Sequence, residues 1–161
     1  MAMEQQSNVG VTPINTLREL SGLAFLRKLI SGELPHAPIS ATLGFNLVDV
    51  EKGWAVFTST PGFEHYNPLG GVHGGYTATL LDSCMACAIH TTLEAGYAYT
   101  TLEIKINYVR AINDKTGPLR AEGKVINAGR QIATAEGKLV DANGKLYAHG
   151  TTTCMIFKLP E

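Results

Sequence analysis

The sequence predicts an α+β chain in which a curved antiparallel sheet of about six strands wraps around one central helix, with an extra helix at the N-terminal end. Three observations lead there. The run at residues 74–93 is helical in pattern and apolar on every side, as a helix buried on most faces must be. Extended runs with strand and turn chemistry occupy most of the remainder. Leu102, Ile104 and Ile106 alternate with Glu103, Lys105 and Asn107, so one sheet face is buried and needs a cover.

A length of 161 residues argues for one domain, and 45% hydrophobic residues place it among chains that collapse to a core. The formal net charge of −1 gives no excess with which to hold nucleic acid or an anionic membrane. Residues 1–12 read as a flexible N-terminus without a basic start or an apolar signal core, and three cysteines, an odd number, suggest no disulfide framework. A cytoplasmic protein with reduced thiols and no metal is expected.

Thr12-Pro13 offers an N-cap followed by proline at the first helical position, and Ile14, Leu17, Leu20, Leu23, Leu26 and Leu29 recur at helical steps, predicting one amphipathic helix over about residues 13–31. Residues 31–38 break it, and with them the N-terminal helix and connector span 13–36, leaving 37–161 as the main domain. Runs around 43–50 and 53–60, split by Lys52-Gly53, read as a hairpin. A glycine-rich loop from Pro61 to Gly71 ends in His73-Gly74-Gly75 and leads into the central helix. Tyr97 to Val109, Leu119 to Asn127, Gln131 to Val140 and Lys145 to Phe157 follow, separated by turn residues, which predicts a four-strand meander.

The central helix carries one formal charge, Asp82, and is too polar in its threonines, serine and histidine for a membrane span. A carboxylate among apolar neighbours is either kept for chemistry or satisfied by a backbone donor or a threonine. Ahead of it, Asn67, Gly70, His73, Gly74 and Gly75 set an amide, an imidazole and bare N–H groups at a helix start, where an anion or oxyanion is stabilised. The loop lacks the Lys-Ser/Thr of a phosphate loop and dinucleotide spacing, and His73 by itself reads more often as a helix cap than as a catalyst. Gly74 and Asp82 lie eight residues apart, roughly 12 Å along a helix. If both serve one reaction, the site must be shared between two copies across a two-fold interface.

The stretch Glu64-His65-Tyr66-Asn67-Pro68-Leu69-Gly70-Gly71-Val72-His73-Gly74-Gly75, then Thr77-Ala78-Thr79-Leu80-Leu81-Asp82, with TLEIKINYVR from Thr101 to Arg110, resembles the hotdog-fold acyl-CoA thioesterases of the phenylacetate-pathway (PaaI-like) type. The resemblance covers about residues 40–157, and the N-terminal helix lies outside it. It implies a thioester hydrolase without metal or bound cofactor, coenzyme A entering as part of an acyl-CoA substrate, in a homodimer or dimer of dimers. Asp82 then activates or positions water, the Gly74 N–H is the oxyanion donor, and Asn67 polarises the carbonyl or orients water. His73 holds the loop or steadies the departing thiolate, and Thr101 assists the water. Two features depart from the pattern. Thr101 shares parity with Glu103 and Lys105, so Thr100 is the inward hydroxyl unless a bulge intervenes. Val109-Arg110-Ala111 stands where a basic residue and proline are common.

Cys84-Met85-Ala86-Cys87 has redox or metal spacing but lies ten residues into a buried helix, which favours core packing. His36, His90 and His149 have no partner visible in sequence. Lys105, Arg110, Arg120, Lys124 and Arg130 are cations that either meet coenzyme A phosphates or face solvent. Pocket depth is expected to follow packing around Tyr76, Met85 and the loop at 61–71. Two alternatives share the fold: a 3-hydroxyacyl-thioester dehydratase and a non-catalytic acyl-CoA binding module.

Overall fold

A computed structural model describes residues 8–160. Strands β1 (Phe45–Glu51) and β2 (Trp54–Ser59) form the expected hairpin, then come helix α4 (Gly74–His90), β3 (Tyr97–Tyr108), β4 (Leu119–Ala128), β5 (Ile132–Asp141) and β6 (Leu146–Lys158). The six strands make one antiparallel sheet in the order β1-β2-β4-β5-β6-β3. The four-strand meander is therefore corrected: β4, β5 and β6 form one, whereas β3 pairs with β6 at the sheet edge. The segment after β3 does not turn back on itself because its backbone is engaged elsewhere. Val109 and Arg110 both donate to the Tyr147 carbonyl, and the Ile112 carbonyl accepts from Val72.

The sheet curls around α4, whose Leu80, Leu81, Cys84, Met85, Ala88 and Ile89 are all buried. Paired glycines make the close approach possible. Gly123 of β4 lies opposite Gly137 of β5, and a Cβ at Gly123 would sit 2.2 Å from the Cys84 carbonyl oxygen. Any side chain there would push the helix off the sheet.

The single N-terminal helix expected over 13–31 is two helices, α1 (Ile14–Glu19) and α2 (Gly22–Ile30). Leu20 is extended, Ser21 caps α2 through Ala24, and the Gly22 N–H donates to the Leu93 carbonyl at 2.9 Å instead of continuing a helical ladder. Gly22 abuts the end of α4 so closely that a Cβ would meet the His90 carbonyl. Pro13, expected at the first helical position, is instead the residue before it, and Thr12 makes no side-chain cap. A short helix α3 (Pro38–Leu43), between the breaker at 31–38 and the strand expected from about 43 in a stretch given no element from sequence, ends at left-handed Gly44.

Leu26 of α2 is 1% exposed, and burying a leucine fully contributes ~1.5–3 kcal/mol. Of the stretch read as flexible, residues 1–7 lie outside the described residues, while the Gly10 N–H donates to the His36 carbonyl and the Asn8 carbonyl accepts from the His36 N–H, setting Val9 in a parallel bridge with His36. No described helix is long and apolar enough to cross a membrane.

Candidate active site

Asp82 and Thr101 meet. The Thr101 hydroxyl donates to Asp82 Oδ1 at 3.0 Å, joining the middle of α4 to the edge strand. The parity problem is resolved by a bulge: Thr101 pairs with Cys154 and Glu103 with Thr153, so Leu102 is an extra residue. Thr101 thus faces inward and Thr100 is exposed. The same bulge overturns the inward assignment of Leu102, which is 56% exposed, while Ile104 and Ile106 keep the inner face. Burial raises the Asp82 carboxyl above its usual range, and the Thr101 hydroxyl partly offsets this by favouring the carboxylate.

Asn67 and His73 organise the loop. Asn67 Oδ1 accepts from Leu69 N at 2.9 Å and from Gly71 N at 3.3 Å, and the Asn67 backbone bonds Gly70 and Gly71. His73 is the N-cap of α4, its Nδ1 accepting from Gly75 N at 2.8 Å, which leaves Nε2 to carry the proton of a neutral ring. The Gly74 N–H, in the first helical turn, has no hydrogen-bond partner among the described residues. Asp82 lies two turns further along the same helix.

Two residues that the sequence reading gave no role hold this loop. His65 is buried. Its Nδ1 accepts from Gly62 N, its ring stacks on Tyr76 at 4.3 Å, and its carbonyl accepts from His73 N at 2.8 Å. In sequence it is one polar residue among others, and only its packing distinguishes it. Tyr108, at the end of β3, donates from its hydroxyl to the Gly74 carbonyl at 2.9 Å. A Cβ at Gly74 would lie 3.3 Å from that phenol, so the glycine leaves room for the ring that steadies the helix start.

Asp82 and Thr101 line a cavity of about 190 Å³. Its other walls are not those expected: Tyr76 and Met85 are buried in the core, and the loop at 61–71 takes no part. They come from α2 (Leu26, Leu29), from His36, Ala37, Ile39 and Ser40, from β1 and β2 (Phe45, Leu47, Phe57), and from Ser83, Ala86, Cys87 and Tyr99 beside the Asp82–Thr101 pair.

Burial holds Cys84 well above the usual thiol range and pushes Cys87 up to about 12, so neither is a thiolate poised for redox chemistry. His90 is wedged between Phe25 and Tyr99, ring centroids 5.3 and 5.2 Å away, and His36 lines the Asp82 cavity. His149, Lys105, Arg110, Lys124 and Arg130 are exposed, and Arg120 lies over the Trp54 ring.

Residues 69–148 match the profile of the thioesterase superfamily. Human acyl-coenzyme A thioesterase 13 is 30% identical over 131 residues, covering 80% of this chain and 91% of that protein. Among solved structures, a phenylacetic acid degradation-related protein from Ralstonia eutropha JMP134 superposes with a TM-score of 0.74 at 29% identity, covering 81% of this chain and 98% of that one. A Streptococcus mutans UA159 protein solved bound to acetyl CoA superposes with a TM-score of 0.65 at 25% identity, covering 73% of this chain and 92% of that one.

Proposed function

The chain belongs to the thioesterase superfamily, with its hotdog fold, and is a thioester hydrolase; from that premise we propose that it cleaves an acyl-CoA to the free acid and coenzyme A, at a site shared between two copies of the chain. The acetyl CoA held by the S. mutans relative supports the substrate class. The observation that carries the reading is Asp82, a carboxylate half-buried on an apolar helix, held by Thr101 and open to a cavity.

In this reading Asp82 takes a proton from water as the water oxygen attacks the thioester carbon, with Thr101 fixing the carboxylate. The carbonyl oxygen becomes an oxyanion and is met by a backbone N–H, Gly74 of the partner subunit, at a helix N-terminus. One such donor stabilises the transition state by ~3–4 kcal/mol. Asn67 polarises the same carbonyl, its Oδ1 being tied to the loop and its amide nitrogen left to donate. Collapse breaks the C–S bond, and the thiolate leaves beside His73, taking up a proton. Coenzyme A enters with the substrate, and the chemistry calls for neither metal nor bound cofactor.

The sharing follows from the helix: eight residues separate Gly74 from Asp82, roughly 12 Å. The edge strand supports it. β3 is twelve residues long with one side unpaired in the sheet. Thr101, which holds Asp82, lies just before its middle, and Tyr108, which holds Gly74, is its last residue. Antiparallel pairing of two β3 strands about a two-fold axis between Ile104 and Lys105 sets Thr101 of one copy opposite Tyr108 of the other and brings the two half-sites together. A dimer of such dimers fits the same arrangement.

Free-thiol release from a panel of acyl-CoAs tests the reading. Release that vanishes in Asp82→Asn is expected. Dehydration of 3-hydroxyacyl-CoA without thiol release would replace hydrolysis with the dehydratase, and saturable binding with neither reaction would leave a binding module.

A further inference from the structure

We propose that the acyl group runs from the thioester at Asp82 into the cavity beneath α2 and residues 36–40, so that this N-terminal segment selects the acyl chains accepted. The inference rests on the reading of Asp82 as the site of thioester hydrolysis.

Three observations carry it. The cavity into which Asp82 and Thr101 open is walled mainly by apolar side chains, among them Leu26, Leu29 and Phe45, with His36, Ser40 and Ser83 as further polar residues, so most of what lies beyond the reacting carbon meets hydrocarbon. A second apolar cavity of about 440 Å³ adjoins it, the two sharing Leu26, Leu29, Ala37, Cys87 and Tyr99 as common walls. Its volume lies within the ~300–1,000 Å³ of small-molecule sites. Finally, the segment that closes both cavities is fixed in place. Gly22 is locked against the end of α4, Leu26 is buried, and His36 is bridged to residues 8–10. Of the shared walls, Leu26, Leu29 and Ala37 fall outside residues 69–148, the part matched to the superfamily. Selectivity toward the acyl group is thus built by residues that the shared chemistry does not require.

Leu29 is one of the residues that line both cavities. A chain short enough to end beside Asp82 does not reach it, whereas a longer one must pass it. Each methylene buried on the way should tighten binding by up to about fourfold.

The test is calorimetric binding of non-hydrolysable S-ethyl-, S-hexyl- and S-dodecyl-coenzyme A. Affinity of the unmodified protein is expected to rise with chain length. Leu29→Trp should weaken the S-dodecyl compound by at least about tenfold and leave the S-ethyl compound within about twofold. Ala37→Phe, at an exposed position on both cavity walls, should show the same pattern and stands in if the tryptophan variant does not fold. Affinity independent of chain length in the unmodified protein, or a variant effect equal for all three compounds, overturns the inference. Thiol release from acetyl-, hexanoyl- and lauroyl-CoA is measured in parallel. Chain-length-dependent binding without release from any of them overturns the hydrolytic reading and leaves the cavity assignment standing.

Discussion

The Thr101 hydroxyl reaches Asp82 Oδ1 at 3.0 Å only because Leu102 is squeezed out of the β3–β6 ladder. One extra residue reverses which side of the strand faces the helix. The bond favours the carboxylate of a group whose burial favours the acid. Thr101→Val removes that donor while keeping the shape. If Asp82 works as the base, the acidic limb of the kcat/KM profile should move to higher pH and the plateau should fall by about tenfold. A profile whose inflection stays in place would mean the hydroxyl acts on something other than Asp82.

Asp82→Asn keeps the size of the side chain and its capacity to accept from Thr101. Thiol release should fall by about 10²–10⁴. Because burial disfavours the ionised carboxyl, the variant should melt no lower than the unmodified protein at neutral pH. A large loss of Tm would assign Asp82 to the fold rather than to the reaction.

If each site takes its acid from one copy and its loop from the other, two inactive variants should rescue each other. Asp82→Asn and Asn67→Ala, denatured together and refolded as a mixture, should recover about a quarter of the activity of the unmodified protein. Half the dimers would be mixed, each with one intact site. No recovery despite mixed dimers seen by native mass spectrometry would place the whole site in one chain.

The His90 imidazole, between Phe25 and Tyr99, is lowered by burial from 6.5 to about 4. Between those values the unfolded chain holds a proton that the folded chain does not. Stability from this group is therefore complete above 6.5 and falls as the pH drops toward 4, by roughly 3 kcal/mol across the window. Asp82 acts in the opposite sense, since its raised carboxyl keeps its proton longer in the folded chain. In an Asp82→Asn background, urea unfolding at about pH 7 and about pH 5 should show a loss that His90→Leu abolishes. An equal loss in both proteins would put the acid sensitivity elsewhere.

Gly123→Ala tests the seat of the central helix. With Cβ placed 2.2 Å from the Cys84 carbonyl oxygen, the helix must shift, at a cost of ~3 kcal/mol or more. Urea unfolding that shows a loss under about 1 kcal/mol would mean the sheet yields easily there.

Most of the sheet, the buried helix and its lone carboxylate were legible because they rest on local pattern: apolar periodicity, Lys52-Gly53 and Asn143-Gly144 turns, a single Asp in an apolar run. The loop was legible through the spacing of Asn67, His73 and Gly74. What escaped depends on partners distant in sequence. The placement of β3 beside β6 needs the bonds of Val109 and Ile112 to Tyr147 and Val72, and the break between α1 and α2 needs Leu93. The glycines at the helix start stood out by crowding, whereas Gly123 and Gly137 matter through a pairing that only the folded sheet creates. The cavity walls were missed for the same reason, since Leu29 and Ala37 meet Asp82 across the fold.

The position of β3 also bears on how the chain comes to life at the ribosome. Among the described residues its one partner in the sheet is β6, which spans Leu146–Lys158, so the strand bearing Thr101 is synthesised roughly forty residues before the strand it binds. Until those last residues emerge, β3 has no ladder to join and its exposed flank is available to other nascent chains. The hydroxyl–carboxylate pair is consequently among the last features to form. A chain that stops before β6 leaves β3 without its ladder and Asp82 without a positioned Thr101.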